Sequence, residues 1–352
     1  MENPEHPKSS LTRNEFHSVF LTNVPAFYKI RLYNRIAEQA KILVIFLRET
    51  NPGRNKDFYA EPRNFEWITL SAGTRRQQAR DCVKLLKTIE YKELVIGGWD
   101  ELAFWATAFF SPKEKNAVAV ESSYLESTTT GPKAWLKRLY LSRISKAYCS
   151  GASNIKLVEM LGFRGNVVKT GGVGLYRRVP QPPFEARECV KNFLYVGRLS
   201  PEKNLEFLIR AFAKLPELTL NVVGFGPQET FLKSIAGTNV VFHGAVENAK
   251  LPAYYRENDV FVLPSKSEPW GMVVEEALNN GVPVLVSDRV GCAEEIVREC
   301  KTGSIFDAFS ESDFLAAAHR ISEPGFYNTL RKNIAERSPE ATELAQIFCY
   351  LR

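Results

Sequence analysis

Two carboxylates stand eight positions apart in Glu268-Pro269-Trp270-Gly271-Met272-Val273-Val274-Glu275-Glu276, one before a turn and one on the helix expected after it. Upstream, Gly197-Arg198-Leu199-Ser200-Pro201-Glu202-Lys203-Asn204 puts two cations just after an apolar run. Fixed cations at Arg198 and Lys203 suit a diphosphate and can offset its growing charge as it leaves. A carboxylate accepts two hydrogen bonds from a vicinal diol such as a ribose, so Glu276 suits a nucleoside and Glu268 a sugar. Gly271 has no Cβ, which lets the N–H groups of Met272 and Val273 approach a ligand closely. Such a set fits a ligand with a diphosphate at one end and hydroxyls at the other, the make-up of a nucleotide sugar. Taken singly, each motif has a plainer reading: two surface cations at a helix start, or glutamates that are solvated or cap a helix.

These residues need elements to position them. Short apolar or β-branched runs alternate with helical patterns along the whole chain, the signature of βαβ units and parallel sheets. Strands are expected at 17–22, 42–47, 66–70, 93–97, 117–121, 147–149 and 166–169, and again at 192–196, 219–223, 240–243, 260–263, 282–286 and 303–306. Helical windows fall at 30–39, 75–90, 101–110, 133–146 and 153–161. Gly171-Gly172-Val173-Gly174, followed by Pro180, Pro182 and Pro183, interrupts the alternation and marks a boundary. The expected fold is α/β, two Rossmann-like doubly wound domains facing across a cleft, spanning 1–182 and 183–338. A final helix over 339–352 is expected to cross back onto the first domain. In open sheets of this kind ligands gather at the carboxyl ends of the strands, where helix N-termini offer unpaired N–H groups. Phe193-Leu194-Tyr195-Val196 reads as a strand with Gly197 at its exit, and Ser200 is expected to cap the next helix with Pro201 at its first position.

Composition narrows the classes. The chain has 352 residues, 45% hydrophobic and 24% charged, which suits two domains with sizeable cores. No apolar run approaches the roughly 20 residues of a membrane span, and residues 1–15 lack the apolar centre of a secretory signal. A cytoplasmic location is therefore expected, with the first 14 residues or so disordered for want of apolar residues. Six scattered cysteines, with no CxxC pair, read as structural thiols in a reducing compartment. Residues 1–180 carry 28 Lys and Arg against 17 Asp and Glu, while 181–352 carry 18 against 23, so the basic half is expected either to face an anionic partner or simply to carry solvated charge. Within it, 133–146 reads as a basic amphipathic helix carrying Trp135 and Tyr140. It can lie on an anionic membrane or pack on its own sheet. No nucleic-acid-binding motif accompanies the basic charge. Gly224-Phe225-Gly226-Pro227-Gln228-Glu229 is half of a dinucleotide loop with glutamate at the third glycine, and it lies in the second domain, which argues against a nicotinamide oxidoreductase.

The order of GRLSPEKN, VVGFGPQ, FHGAV, FVLPSKSEPWGMVVEEAL, GVPVLVSD and GCAEEIV, dense between about residues 192 and 303, resembles the retaining glycosyltransferases of family 4. The resemblance implies the two-domain GT-B architecture and transfer of a hexose from a UDP- or GDP-linked sugar. Arg198 and Lys203 then look like the pair that holds the donor diphosphate, and Glu268 and Glu276 like the paired glutamates at sugar and ribose. Gly271, Met272 and Val273 fall where backbone amides meet sugar hydroxyls. Gly224 and Gly226 resemble the turn beside the nucleobase, with Glu247 in a loop near that base. The acceptor implied is a growing glycan, lipid-linked, in the making of a surface polysaccharide.

No Asp-x-Asp pair occurs, so neither a metal nor any other cofactor is expected; the cations and helix dipoles would stabilise the leaving diphosphate instead. The chain departs from the resemblance in its first half. Gly97-Gly98-Trp99-Asp100 stands where many family members carry histidine, and none of His6, His17, His243 and His319 falls there. Asp100 occupies that place, to orient a substrate or to cap a helix. The loop Asn23–Lys29 lacks the family's Gly-Gly pair. Glu121 and Ser122, at a strand end, are candidates for acceptor contact. With its first-half loop altered, the chain could also be a catalytically inactive subunit that binds nucleotide sugar in a glycan assembly complex.

Overall fold

A computed structural model describes residues 15–51, 56–70 and 73–352. The expectation for the first 14 residues lies outside that range. Two parallel sheets carry the architecture. The first has seven strands, β1 (Phe16–Thr22), β2 (Ile42–Phe46), β3 (Glu66–Thr69), β4 (Tyr91–Ile96), β5 (Asn116–Val120), β6 (Lys146–Cys149) and β7 (Asn166–Lys169), in the order β3-β2-β1-β4-β5-β6-β7. The second has six, β8 (Asn192–Val196), β9 (Thr219–Val223), β10 (Val240–Gly244), β11 (Val260–Leu263), β12 (Val284–Ser287) and β13 (Gly303–Phe306), in the order β10-β9-β8-β11-β12-β13.

Strands such as Ile42–Phe46 and Val260–Leu263 are buried at every position. Helices cover both faces of a parallel sheet, so its strands read as continuous apolar runs rather than alternating ones. The helices show the complementary pattern: Leu205–Phe212 buries Leu205, Leu208, Ile209 and Phe212 on one stripe and leaves Arg210 out. In each sheet the strand order reverses beside the first strand, β1 against β4 and β8 against β11. A crevice opens at the carboxyl edge of such a reversal. The final helix, Pro339–Cys349, lies on the first half of the chain. Glu343 there receives Arg35 at 2.8 Å, and Tyr350 stacks on Tyr148 with ring centroids 4.5 Å apart.

Two local expectations are corrected. The basic helix runs Gly131–Leu141 and stops before Lys146, which instead opens β6 and pairs with Glu93 at 2.6 Å. Ser200 does not cap an α-helix. Pro201–Lys203 forms a single 3-10 turn, Asn204 takes a left-handed φ of 59°, and the α-helix begins at Leu205.

Candidate functional site

A cleft of about 800 Å³ runs between the two sheets. Its second-half wall is built by the segments that leave β8, β9, β10 and β11. After β8 the chain turns through Gly197 and Arg198, where the Tyr195 hydroxyl donates to the Arg198 carbonyl at 2.8 Å. Asn204, whose side chain donates to the Ala308 carbonyl at 3.1 Å, anchors the 3-10 turn and so aims Lys203 into the cleft. Arg198 is about half exposed beside Glu202, at 3.4 Å, and also lines the cleft. Gly224 is required here, because with φ of 137° a Cβ would fall 1.8 Å from the Gly197 carbonyl oxygen.

Beyond β11, Glu268 is pinned through its backbone: its N–H donates to the Arg289 carbonyl at 3.1 Å and its carbonyl accepts from Gly291 at 2.8 Å. Its carboxylate forms an ion pair with Lys203. Gly271 follows with φ of 103° and starts the helix Met272–Asn279. The first N–H groups of a helix have no partner within it, so those of Met272 and Val273 are available at the wall they line.

Glu276, one turn further, also lines the cleft and accepts from the Tyr255 hydroxyl at 3.1 Å. Burial pushes its carboxyl up to about 7, against the opposing pull of Tyr255 and Arg31. Glu275 turns the other way, into the protein, and accepts from the Trp270 indole at 2.8 Å. Burial pushes it too up to about 7, offset in part by that indole and by Arg337.

The cleft therefore brings together Arg198, Lys203, Glu268, Glu276, Gly224, Gly271, Met272 and Val273, with Glu121 from the opposite wall. Other expected residues fall elsewhere. Glu247 turns its side chain to solvent, 70% exposed and 3.1 Å from Lys250, while its neighbours Val246 and Asn248 line the cleft. Gly226 is set by packing, since a Cβ there would lie 2.5 Å from the Leu199 carbonyl oxygen, and it does not line the cleft. Asp100 accepts from Asn23 at 3.3 Å, outside the lining. It caps no helix either, because Glu101 holds the capping position of Leu102–Phe110 and makes no capping bond. Ser122 gives its carbonyl to Asn154 at 2.8 Å and likewise stands off the cleft.

Three side chains that carry no role in the sequence motifs support the site residues. Tyr255 orients Glu276, and nothing in its local pattern, a helical Tyr254-Tyr255 pair, marks it. Lys29 meets Glu121 at 2.6 Å from 92 positions away in sequence. Trp270 bonds Glu275, a pairing foreshadowed only by their closeness in the chain. Among the described residues no group of three His, Cys, Asp or Glu side chains could hold a metal ion.

Comparison with known proteins agrees with this geometry. Residues 182–340 match the family described as "Glycosyl transferases group 1". An uncharacterized 41.2 kDa protein in the cps region of Klebsiella pneumoniae is 37% identical over 247 residues, covering 63% of this chain and 67% of that protein. Among solved structures, sucrose-phosphate synthase from Thermosynechococcus elongatus superposes with a TM-score of 0.69 at 20% identity, over 93% of this chain and 96% of that one. The lipopolysaccharide outer core galactosyltransferase WaaB gives 0.67 at 13% identity, over 94% and 99%. Two doubly wound domains meeting at such a cleft define a GT-B glycosyltransferase fold. The chain belongs to the glycosyl transferases of group 1 and is a glycosyltransferase enzyme.

Proposed function

We propose that the chain transfers a hexose, with retention of configuration and without a metal, from a UDP- or GDP-linked sugar to a growing, lipid-linked glycan. One observation carries the donor half of this reading: cations at Arg198 and Lys203 and carboxylates at Glu268 and Glu276 share a single cleft wall beside the start of Met272–Asn279. A diphosphate fits between the two cations and the helix start, where charge and dipole both favour an anion. Glu276 then accepts the ribose hydroxyls and Glu268 a sugar hydroxyl, releasing Lys203 toward the phosphate. In the transfer, the bond from the anomeric carbon to the phosphate oxygen breaks as the bond to the acceptor oxygen forms on the same face. The acceptor's proton passes to the departing phosphate oxygen. The relatives described by a cps region and by lipopolysaccharide support a glycan of surface-polysaccharide type as acceptor.

The test is turnover in EDTA with UDP- and GDP-hexoses and a lipid-linked glycan extract, followed by the anomeric configuration of the product. Retained configuration without added metal is expected. An inverted product, or a strict need for a divalent ion, would contradict the reading. Nucleotide binding with no turnover would favour an inactive binding subunit.

A second observation supports work at the inner face of the cytoplasmic membrane. The helix Gly131–Leu141 buries Ala134, Tyr140 and Leu141 but leaves Trp135 61% exposed, with Leu136 and Leu139 beside Lys133, Lys137 and Arg138. Phe109 and Phe110, the latter 71% exposed, end the helix Leu102–Phe110, whose Trp105 packs on Tyr140. Exposed aromatics with basic neighbours suit an anionic bilayer surface. No helix among the described residues is long and apolar enough to cross a membrane. Sedimentation with anionic vesicles checks this: salt-sensitive binding that weakens in Trp135→Ala is expected, and no binding at low salt would contradict it.

A further inference from the structure

The first-half wall of the cleft differs in chemistry from the donor wall. Its lining side chains are three rings, two carboxylates and one aliphatic group: Phe27, Tyr28, Phe58, Glu121, Glu126 and Val173. The rings meet edge to face. Phe27 and Tyr28 have centroids 5.6 Å apart at 89°, Phe27 and Phe58 are 5.5 Å apart at 90°, and Tyr28 and Phe58 are 6.2 Å apart at 73°. Such contacts set a positive ring edge against a negative ring face and hold the trio as one surface. The backbone closes behind Tyr28, whose carbonyl accepts from Leu175 at 2.9 Å, and Gly174 leaves the room for this, since a Cβ there would fall 2.6 Å from the ring.

Beside the rings, Lys29 lies 2.6 Å from the Glu121 carboxylate and 3.2 Å from the Thr22 hydroxyl, at the carboxyl edge of β1 and β5. Its side chain is 12% exposed against 38% for Glu121, so the cation sits behind and the carboxylate faces the cleft. Burial, the largest single influence, would lower the ammonium's pKa, but Glu121 together with Tyr28 and Tyr33 outweighs it and keeps Lys29 protonated. Glu126 is oriented in turn by the Ser123 N–H at 3.2 Å and the Ser267 hydroxyl of the opposite wall at 3.2 Å. Among the described residues that line this wall, none is a cation.

We propose that this wall receives the terminal pyranose of an uncharged glycan acceptor, one apolar face of the sugar on Tyr28 and Phe58 and a hydroxyl donating to Glu121. The inference rests on the glycosyl-transfer reading and adds to it the acceptor's chemistry. A pyranose turns C–H groups outward from its faces and hydroxyls outward from its rim, which matches rings flanked by carboxylate acceptors. A sugar bearing phosphate or carboxylate would bring like charge against Glu121 and Glu126, with no cation among the described residues lining this wall to offset it. An isoprenoid tail would suit the rings but would desolvate two carboxylates without giving them a hydrogen bond.

Saturation-transfer NMR tests this on the full chain, using methyl glucoside, methyl galactoside, methyl mannoside and methyl glucuronide as probes. Transfer to the ring C–H protons of at least one neutral glycoside is expected, with little to the glucuronide. The signal should fall on the order of tenfold in Phe58→Ala and survive in Phe58→Tyr, as loss of one aromatic partner implies. Nucleotide binding by calorimetry, measured on each variant, shows that the fold and the donor wall are intact. Glucuronide signals equal to the neutral ones, unchanged transfer in both Phe58→Ala and Tyr28→Ala, or no glycoside signal from protein that binds nucleotide would each overturn the proposal. Failure of the wild type to bind any nucleotide would overturn the transfer reading beneath it.

Discussion

Glu276 meets the cleft with a carboxyl that burial pushes up to about 7 and that Tyr255 holds at 3.1 Å. In the proposed role a ribose diol donates hydrogens to Glu276 and needs the ionised form as acceptor, so nucleotide affinity should rise as pH passes upward through about 7. Between pH 6 and 8 the gain should be about tenfold beyond that of Glu276→Gln, following the change in ionised fraction; titration calorimetry of both proteins reads it directly. Glu275 titrates in the same range but faces Trp270 instead. Both carboxyls hold their protons more tightly in the fold than at the ordinary value of 4.5, so the stability they confer is fully present below that value. It is lost as pH rises through about 7. Melting temperature should therefore decline across that window, and the decline should be shallower in Glu275→Gln. An identical slope in the variant would remove Glu275 from the account.

At the scale of elements, the loop from Glu268 to Gly271 is held by backbone bonds on one side and by the Trp270–Glu275 bond on the other. Trp270→Phe keeps the apolar bulk but leaves a buried carboxylate without its donor, at a cost of about 1–3 kcal/mol. Gly271→Ala puts a Cβ 3.0 Å from Val290 at a φ of 103°, and should cost about 1–3 kcal/mol. Denaturant midpoints check both; changes near zero would mean that the loop is not held as described. These elements were legible in the sequence because parallel strands buried on both faces announce themselves as short apolar runs. Thus 192–196, 219–223, 260–263 and 303–306 agree to the residue with β8, β9, β11 and β13. The start of the helix after GRLSPEKN was less legible. Ser-Pro-Glu has the form of a cap, yet Asn204 in the left-handed region delays the helix to Leu205. Likewise 133–146 keeps a helical pattern past Leu141, and the pairing of Lys146 with Glu93 on another strand is invisible to local sequence. On the second-half wall of the cleft the spaced charges Arg198, Lys203, Glu268 and Glu276 were legible as a set of neighbours, whereas Tyr255 and Lys29 depend on the tertiary fold. Glu247 shows the limit of reading a loop: its neighbours reach the cleft and it does not.

The whole molecule is two sheets joined at several points that keep the walls of the cleft in register. Glu295 accepts from the Ala152 N–H at 2.6 Å and pairs with Lys169 at 3.2 Å, and the last helix returns Tyr350 to a site among Phe20, Tyr33 and Tyr148. Tyr350→Ala empties that buried site and should cost about 3–5 kcal/mol, a large share of a domain's stability. Thermal unfolding should show a lower transition, and an unchanged one would mean that the last helix adds little to the fold. The account as a whole depends on the cleft holding a nucleoside diphosphate. Calorimetric titration of UDP, GDP and ADP in EDTA, into wild type and Glu276→Ala, tests that claim most directly. Micromolar binding of one nucleotide that is lost in the variant is the predicted result, on the order of 8 kcal/mol of binding free energy. Absence of binding by all three, or equal binding by the variant, would contradict it.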